Sequence, residues 1–167
     1  LIQQIDTMSA IASAFSQFAA MPTGQSELLN VTETVKRALE LYKDAPIALD
    51  ADTAYYAQLD ATQLVRIINN LMSNAIDACA EVSKPSIEVR IFGDKKWIYV
   101  SVEDNGKGVS DSLQERIFEP TFTTKTSGMG LGLSMVKSIV ETFGGTIQFE
   151  SIPNVKTRFQ VRFPRID

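Results

Sequence analysis

The sequence predicts an α+β fold, a two-layer sandwich in which one mixed, mostly antiparallel sheet is covered on one face by helices. Two observations carry this expectation. Two pairs of segments alternate apolar and polar residues with period two, as half-buried strands do, and four others repeat apolar residues at helical spacing. Their order runs helices, two strands, a loop, a helix, two strands, which suits a sheet with helices laid on it.

Residues 1 to about 20 place Leu1, Ile5, Met8, Ala12 and Phe15 in alternating steps of four and three, with Ile11 and Phe18 alongside, the spacing of a helix with an apolar seam. Pro22 and Gly24 stop it. A lone helix of this length is unstable in water, so the seam needs cover. A partner helix in a bundle suits the spacing, and a peripheral helix of the same domain is the alternative. Asn30 with Glu33 fits a capping box that opens a helix from about Val31 to Tyr42, with Val35, Leu39 and Tyr42 on one face. Ile47 to Ala51 follows Pro46 as a short strand. Asp60 with Gln63 caps a long helix to about Ala80, with Leu64, Ile67, Ile68, Leu71, Ala75 and Ile76 as its buried face.

Ile87 to Ile91 and Ile98 to Val102 alternate on either side of Gly93-Asp94-Lys95-Lys96, a hairpin signal. After a loop rich in Gly, Thr and Ser, a helix from about Leu131 to Phe143 ends at Gly144-Gly145. Thr146 to Glu150 and Arg158 to Phe163 alternate again as a closing hairpin.

The chain of 167 residues suits one domain with an appendage, and 44% apolar with 22% charged residues is a composition that folds. A net charge of −4 gives no support to wrapping nucleic acid or lying on an anionic membrane. One cysteine, Cys79, rules out an internal disulfide and the Cys-rich zinc patterns, and reads as a small apolar helix residue. There is no histidine, which removes Ser-His-Asp, Cys-His and His-ligated metal chemistry. No apolar run approaches a membrane span, so the expectation is a cytoplasmic, soluble piece with no membrane contact of its own, and Leu1 in place of Met reads as a fragment of a larger protein.

Four short segments carry chemistry, each with a plainer alternative. Asn70, Asn74 and Asp77 share one face of the long helix; a carboxamide oxygen suits Mg²⁺, though asparagines on a helix are also ordinary polar-face residues. Asp104 ends a strand, where its carboxylate can accept from an amine; Gly106 and Gly108 let backbone approach a flat ring, or simply make a turn. Ile117 to Lys125 holds Phe118 and Phe122 as anchors of a flap with Lys125 reaching anionic oxygens, or is a surface loop with two core-facing rings. Gly128-Met129-Gly130-Leu131-Gly132 opens a helix, an anion site by its free amides. It is neither a Walker loop nor a Rossmann turn.

Taken together and in this order, the segments over residues 28–167 resemble the ATP-binding domain of bacterial sensor histidine kinases, whose Bergerat fold is shared by gyrase, mismatch-repair and heat-shock ATPases. Asn70 to Ala78 looks like the family's N box, Asp104 to Gly108 the first glycine box, Phe118 to Phe122 the F box, and Gly128 to Gly132 the second glycine box. Residues 1–21 look like the second helix of a dimerisation and phosphoacceptor bundle, particularly of nitrogen-regulation-type kinases, with 22–27 a linker. The resemblance implies ATP and Mg²⁺ as cofactors. Asn74 would ligate the metal with Asn70 assisting, and Asp104 would take the adenine amine with Gly106 and Gly108 along the base. Lys125 and the amides of Gly128, Gly130, Leu131 and Gly132 would hold the phosphates, and Asp77 would also line the nucleotide. Thr157 matches a late threonine near adenine, although the usual Gly-x-Gly before it is Asn154-Val155-Lys156 here.

ATP-hydrolysing branches of that superfamily carry Glu four residues before the metal-binding Asn, where this chain has Asn70, and a neutral carboxamide is no general base. The resemblance therefore implies transfer of γ-phosphate to a histidine outside this chain, on the bundle of a homodimeric full-length protein, and then to an aspartate of a response regulator. A serine-directed anti-sigma-factor kinase of the same fold, or a nucleotide-binding module without transfer, are the alternatives. The flap from about Val109 to Ser127 is expected to be mobile without nucleotide.

Overall fold

The computed structural model describes residues 2–6, 8, 9, 12, 25–120 and 131–167. Residues 2–6, 8, 9 and 12 are helical and exposed, with Ile2, Ile5 and Met8 at 78%, 61% and 70% exposure, so these apolar side chains face solvent and not the domain. The remainder of the N-terminal seam, Phe122, Lys125, Gly128 and Gly130 lie outside the described residues.

From Glu27 the chain forms β1 (Glu27–Asn30), α1 (Val31–Leu39), a 3-10 turn (Glu40–Tyr42), β2 (Ile47–Asp50), β3 (Tyr56–Leu59) and α2 (Ala61–Ala78). Next come β4 (Ile87–Gly93), β5 (Trp97–Asp104), a second 3-10 turn (Asp111–Arg116), α3 (Gly132–Thr142), β6 (Thr146–Ile152) and β7 (Lys156–Pro164). Both helix starts follow the sequence signals, because Asn30 Oδ1 accepts from Glu33 N at 3.0 Å and Asp60 Oδ1 from Gln63 N at 3.0 Å. The expected helix to Tyr42 tightens into its 3-10 turn after Leu39, ahead of Pro46.

The main sheet has the order β2-β4-β5-β7-β6. Three of its pairings are antiparallel and one, β2 with β4, is parallel, which is possible because β3 and α2 intervene between them. A second sheet of two strands, β1 with β3, was not expected from the sequence. Its strands are four residues long, and although β3 buries Ala57 and Leu59 in alternation, the exposed apolar side chains of Leu28 and Tyr56 hide the in-out pattern in the sequence. Strand β1 thus starts at Glu27, the last residue of the expected linker.

One face of the main sheet is dry. Val89 pairs with Val102, Ile91 with Val100, Ile98 with Phe163 and Val100 with Val161, all buried. Onto them α2 lays Leu64, Ile67, Ile68, Leu71, Met72 and Ala75, each no more than 2% exposed, and α3 adds Val136, Ile139 and Val140. Ile76, expected in that face, is half-buried, since it turns toward the 3-10 segment after α1. The helix end at Gly144 uses a φ of +76°, and a Cβ on Gly145 would fall 2.0 Å from Arg162 O, so this glycine pair sets how closely α3 returns to β7.

Candidate functional site

The site lies at the end of β5, where the sheet meets the polar face of α2. Asp104 is the last residue of β5 and only 4% exposed. Its Oδ1 accepts from Gly106 N at 2.8 Å. Burial pushes its carboxyl up to about 6, helped by the neighbouring Glu103 charge and opposed by the Gly106 amide. With a single donor to it among the described residues, this buried acceptor suits a ligand that brings a donor of its own.

Thr157 faces Asp104 directly across β5 and β7 and is also 4% exposed, so strand pairing, which the sequence does not spell out, brings these two residues together. The turn before Thr157 shows why it dispenses with the expected glycines. Asn154 takes the left-handed conformation at φ 62°, the one non-glycine residue there among those described, and asparagine tolerates that region best.

Gly106 has a reason beyond ligand approach. A Cβ on it would lie 2.5 Å from both C and O of Ala78, at the end of α2, and Lys107 N donates to the same Ala78 O at 3.0 Å. The glycine loop is thereby pressed onto the helix that carries Asn74 and Asp77. Gly108, at φ +70°, packs against Ser151 and Pro153 of the β6–β7 hairpin.

Eight residues earlier on α2, Asn70 Nδ2 donates to Arg66 O at 2.8 Å, and a Cβ on Gly132 would fall 2.6 Å from Asn70 Oδ1. Asn70 therefore abuts the first turn of α3. Among the described residues no side chain caps that helix; Leu131 stands at its N-cap and Ser134 Oγ donates to Leu131 O at 3.0 Å, an arrangement whose first-turn amides suit an anion. Asn70 and Asn74 are half-buried and Asp77 is exposed on one face of α2. Among the described residues no three acidic, Cys or His side chains cluster as a metal site, so a metal here needs amide oxygens together with oxygens of a ligand, the habit of Mg²⁺.

Just ahead of the F box Ile117 is buried, and within it the Phe118 ring meets Phe159 edge-on at 6.5 Å, with Lys137 Nζ 5.9 Å above it. The first part of the expected flap is thus anchored to the core. Cys79 is a buried thiol raised by burial and by the Asp104 charge, as befits a packing residue.

Two contributors escaped the sequence reading. Asn105 Oδ1 accepts from Ser86 N at 2.8 Å and its Nδ2 donates to Lys84 O at 2.9 Å, latching the loop after α2 behind Asp104. Ser151 links the lip of the glycine loop to Thr157. Counting the hairpin register outward from its turn would have placed Ser151 opposite Thr157.

A buried carboxylate beside a glycine loop, an amide-bearing helix and an uncapped helix start, on a sheet covered by helices on one face, define a nucleotide-binding domain of one class. The chain belongs to the family described as "Histidine kinase-, DNA gyrase B-, and HSP90-like ATPase", which matches residues 59–167. Within that family the relatives it matches include sensor histidine kinases. It is 33% identical over 179 residues to sensor histidine kinase YcbM of Bacillus subtilis (strain 168), an alignment covering 99% of this chain and 56% of YcbM. It is 28% identical to signal transduction histidine-protein kinase AtoS of Escherichia coli (strain K12), covering 98% of this chain and 28% of AtoS. The catalytic domain of histidine kinase ThkA superposes with a TM-score of 0.74 at 28% identity, over 84% of this chain and 96% of that one. The chain therefore spans about half, or less, of these curated full-length relatives. Among the described residues no helix is long and apolar enough to cross a membrane.

Proposed function

We propose that this chain is the ATP-binding catalytic domain of a two-component sensor histidine kinase, passing γ-phosphate to a histidine that the 167 residues do not contain. The observation that carries the reading is Asn70. It occupies the position where a water-activating carboxylate would serve hydrolysis, and its amide group is engaged with the Arg66 carbonyl and packed against Gly132. A side chain so held, and neutral, positions a phosphate-bearing ligand but takes no proton from water.

In this reading Asp104 accepts the adenine amine, with Thr157 beside it and Gly106 and Gly108 along the base. Asn74, assisted by Asn70, holds Mg²⁺, and Asp77 lines the nucleotide. Lys125 with the amides of Gly128, Gly130, Leu131 and Gly132 holds the phosphates. When bound, the metal neutralises phosphate charge. The chain's own residues fix the base at the sheet edge and aim the phosphates at the start of α3, where backbone dipoles favour anions.

Residues 1–21 are assigned to the second helix of the dimerisation bundle, joined by 22–27 to the domain over 28–167. The outward-facing Ile2, Ile5 and Met8 support this, for such a stripe is stable only against another helix. The histidine-bearing bundle, a second copy and the receiver domain of a response regulator are the partners, with the chain on the cytoplasmic side.

Calorimetric titration of the chain with ATP, with and without Mg²⁺, tests this. The expected result is uptake that Mg²⁺ strengthens, with the strengthening lost in Asn74→Ala. No uptake by folded protein, or an Asn74→Ala variant as Mg²⁺-dependent as the parent, refutes it.

A further inference from the structure

We propose that Ser151 is a positioning residue for nucleobase recognition: it donates its hydroxyl proton to Thr157, leaving the Thr157 proton to point at the base. This rests on the nucleotide-binding reading above.

Ser151 is half-buried on β6 and is the register partner of Thr157, with Oγ and Oγ1 2.9 Å apart. Val109 N, on the lip beyond the glycine loop, donates to Ser151 Oγ at 3.0 Å. Gln114 Nε2 donates to both Val109 O at 2.9 Å and Ser151 O at 3.3 Å, and Asn154 N donates to Lys107 O at 2.9 Å. The lip is therefore tied to the β6–β7 hairpin at several points, of which Ser151 alone also reaches Thr157.

A serine hydroxyl has one proton and two lone pairs. The Val109 amide uses one lone pair. If Ser151 gives its proton to Thr157 Oγ1, the Thr157 hydroxyl keeps its own proton for a ligand. Asp104, an acceptor when ionised, pairs with Thr157 across the strands. The site then presents an acceptor beside a donor. Adenine, with an exocyclic amine beside a ring nitrogen lone pair, matches that pair. Guanine, with a carbonyl beside a ring N–H, opposes it. Ser151 thus sets base preference without touching the base, through Thr157.

The test measures binding of Mg²⁺-ATP and Mg²⁺-GTP to the 167-residue chain and to Ser151→Ala, Ser151→Thr and Thr157→Val, with amide exchange at Val109 followed in the nucleotide-free proteins. Loss of one well-placed hydrogen bond predicts that the ATP-to-GTP affinity ratio falls roughly tenfold in Ser151→Ala. The hydroxyl-retaining Ser151→Thr restores it. Thr157→Val lowers the ratio as far, and combining it with Ser151→Ala lowers it no further. Val109 exchange quickens in Ser151→Ala only. If Ser151→Ala does not fold, Thr157→Val and Ser151→Thr still decide. An unchanged ratio in either Ser151→Ala or Thr157→Val, or a ratio that Ser151→Thr does not restore, overturns the proposal alone. A parent chain that binds neither nucleotide overturns it together with the reading beneath it.

Discussion

Replacing Asp104 with asparagine separates the electrostatics of this site from its shape. The carboxyl is 4% exposed and is pushed from 3.8 up to about 6 by burial, with Glu103 adding and the Gly106 amide opposing. At about 1.36 kcal/mol per pH unit, that shift is worth up to about 3 kcal/mol. Its sign follows from proton binding. The folded chain holds this proton more tightly than the unfolded chain, so the contribution is fully present below 3.8 and is lost as pH rises through about 6. Asp104→Asn has no such titration. Denaturant unfolding of both proteins across the range should therefore show the variant gaining on the parent, by up to about 3 kcal/mol between pH 4 and 7.5. In the proposed function ligand binding should respond in the opposite sense, because the ionised form would accept the adenine amine. Between pH 5 and 7.5 adenosine carries no titrating group, its ring nitrogen taking a proton only in more acidic solution, so any slope there belongs to the protein. With a carboxyl near 6, only about a tenth is ionised at pH 5, and adenosine affinity should fall about tenfold from its value at pH 7.5, while Asp104→Asn stays flat. Parallel stability curves for the two proteins would mean that burial does not raise the Asp104 carboxyl, and a parent whose adenosine affinity ignores pH would refute Asp104 as the proposed base acceptor.

Two further outcomes are expected. Gly106→Ala puts a methyl group 2.5 Å from the Ala78 backbone, and the overpacking should cost about 2 kcal/mol in urea unfolding without any nucleotide; undiminished stability would mean that the loop does not press on α2. Incubated with γ-labelled ATP, the chain should take up no acid-labile, alkali-stable label, since it contains no histidine; such label would defeat the assignment of the acceptor to a residue elsewhere.

What the sequence made legible was local. The Asn30 and Asp60 caps, the period-two strands and the glycine stop of α3 are decided within a few residues, and each stands where the pattern put it. Pairing between distant segments was not legible. The parallel contact of β2 with β4 leaves no mark in Ile47–Asp50, and β1 and β3 have four residues each, with exposed Leu28 and Tyr56 masking which face is buried. The site divides along the same line. Asp104 and the asparagines were visible as residue types, but Thr157 becomes a neighbour of Asp104 only through the register of β5 and β7. The need for glycine at 106 arises from Ala78, a residue whose identity gives no hint of it.

Helix α2 touches the glycine loop at Ala78 and the start of α3 at Asn70. Eight residues of uninterrupted helix at about 1.5 Å each fix these two stations about 12 Å apart. That makes the helix a gauge. In the proposed function a ligand held between Asp104 and the start of α3 would be measured against this stiff spacer, and not against two loops free to drift. Discrimination by length would then reside in the backbone, and a side-chain change that spares the helix would leave the spacing intact.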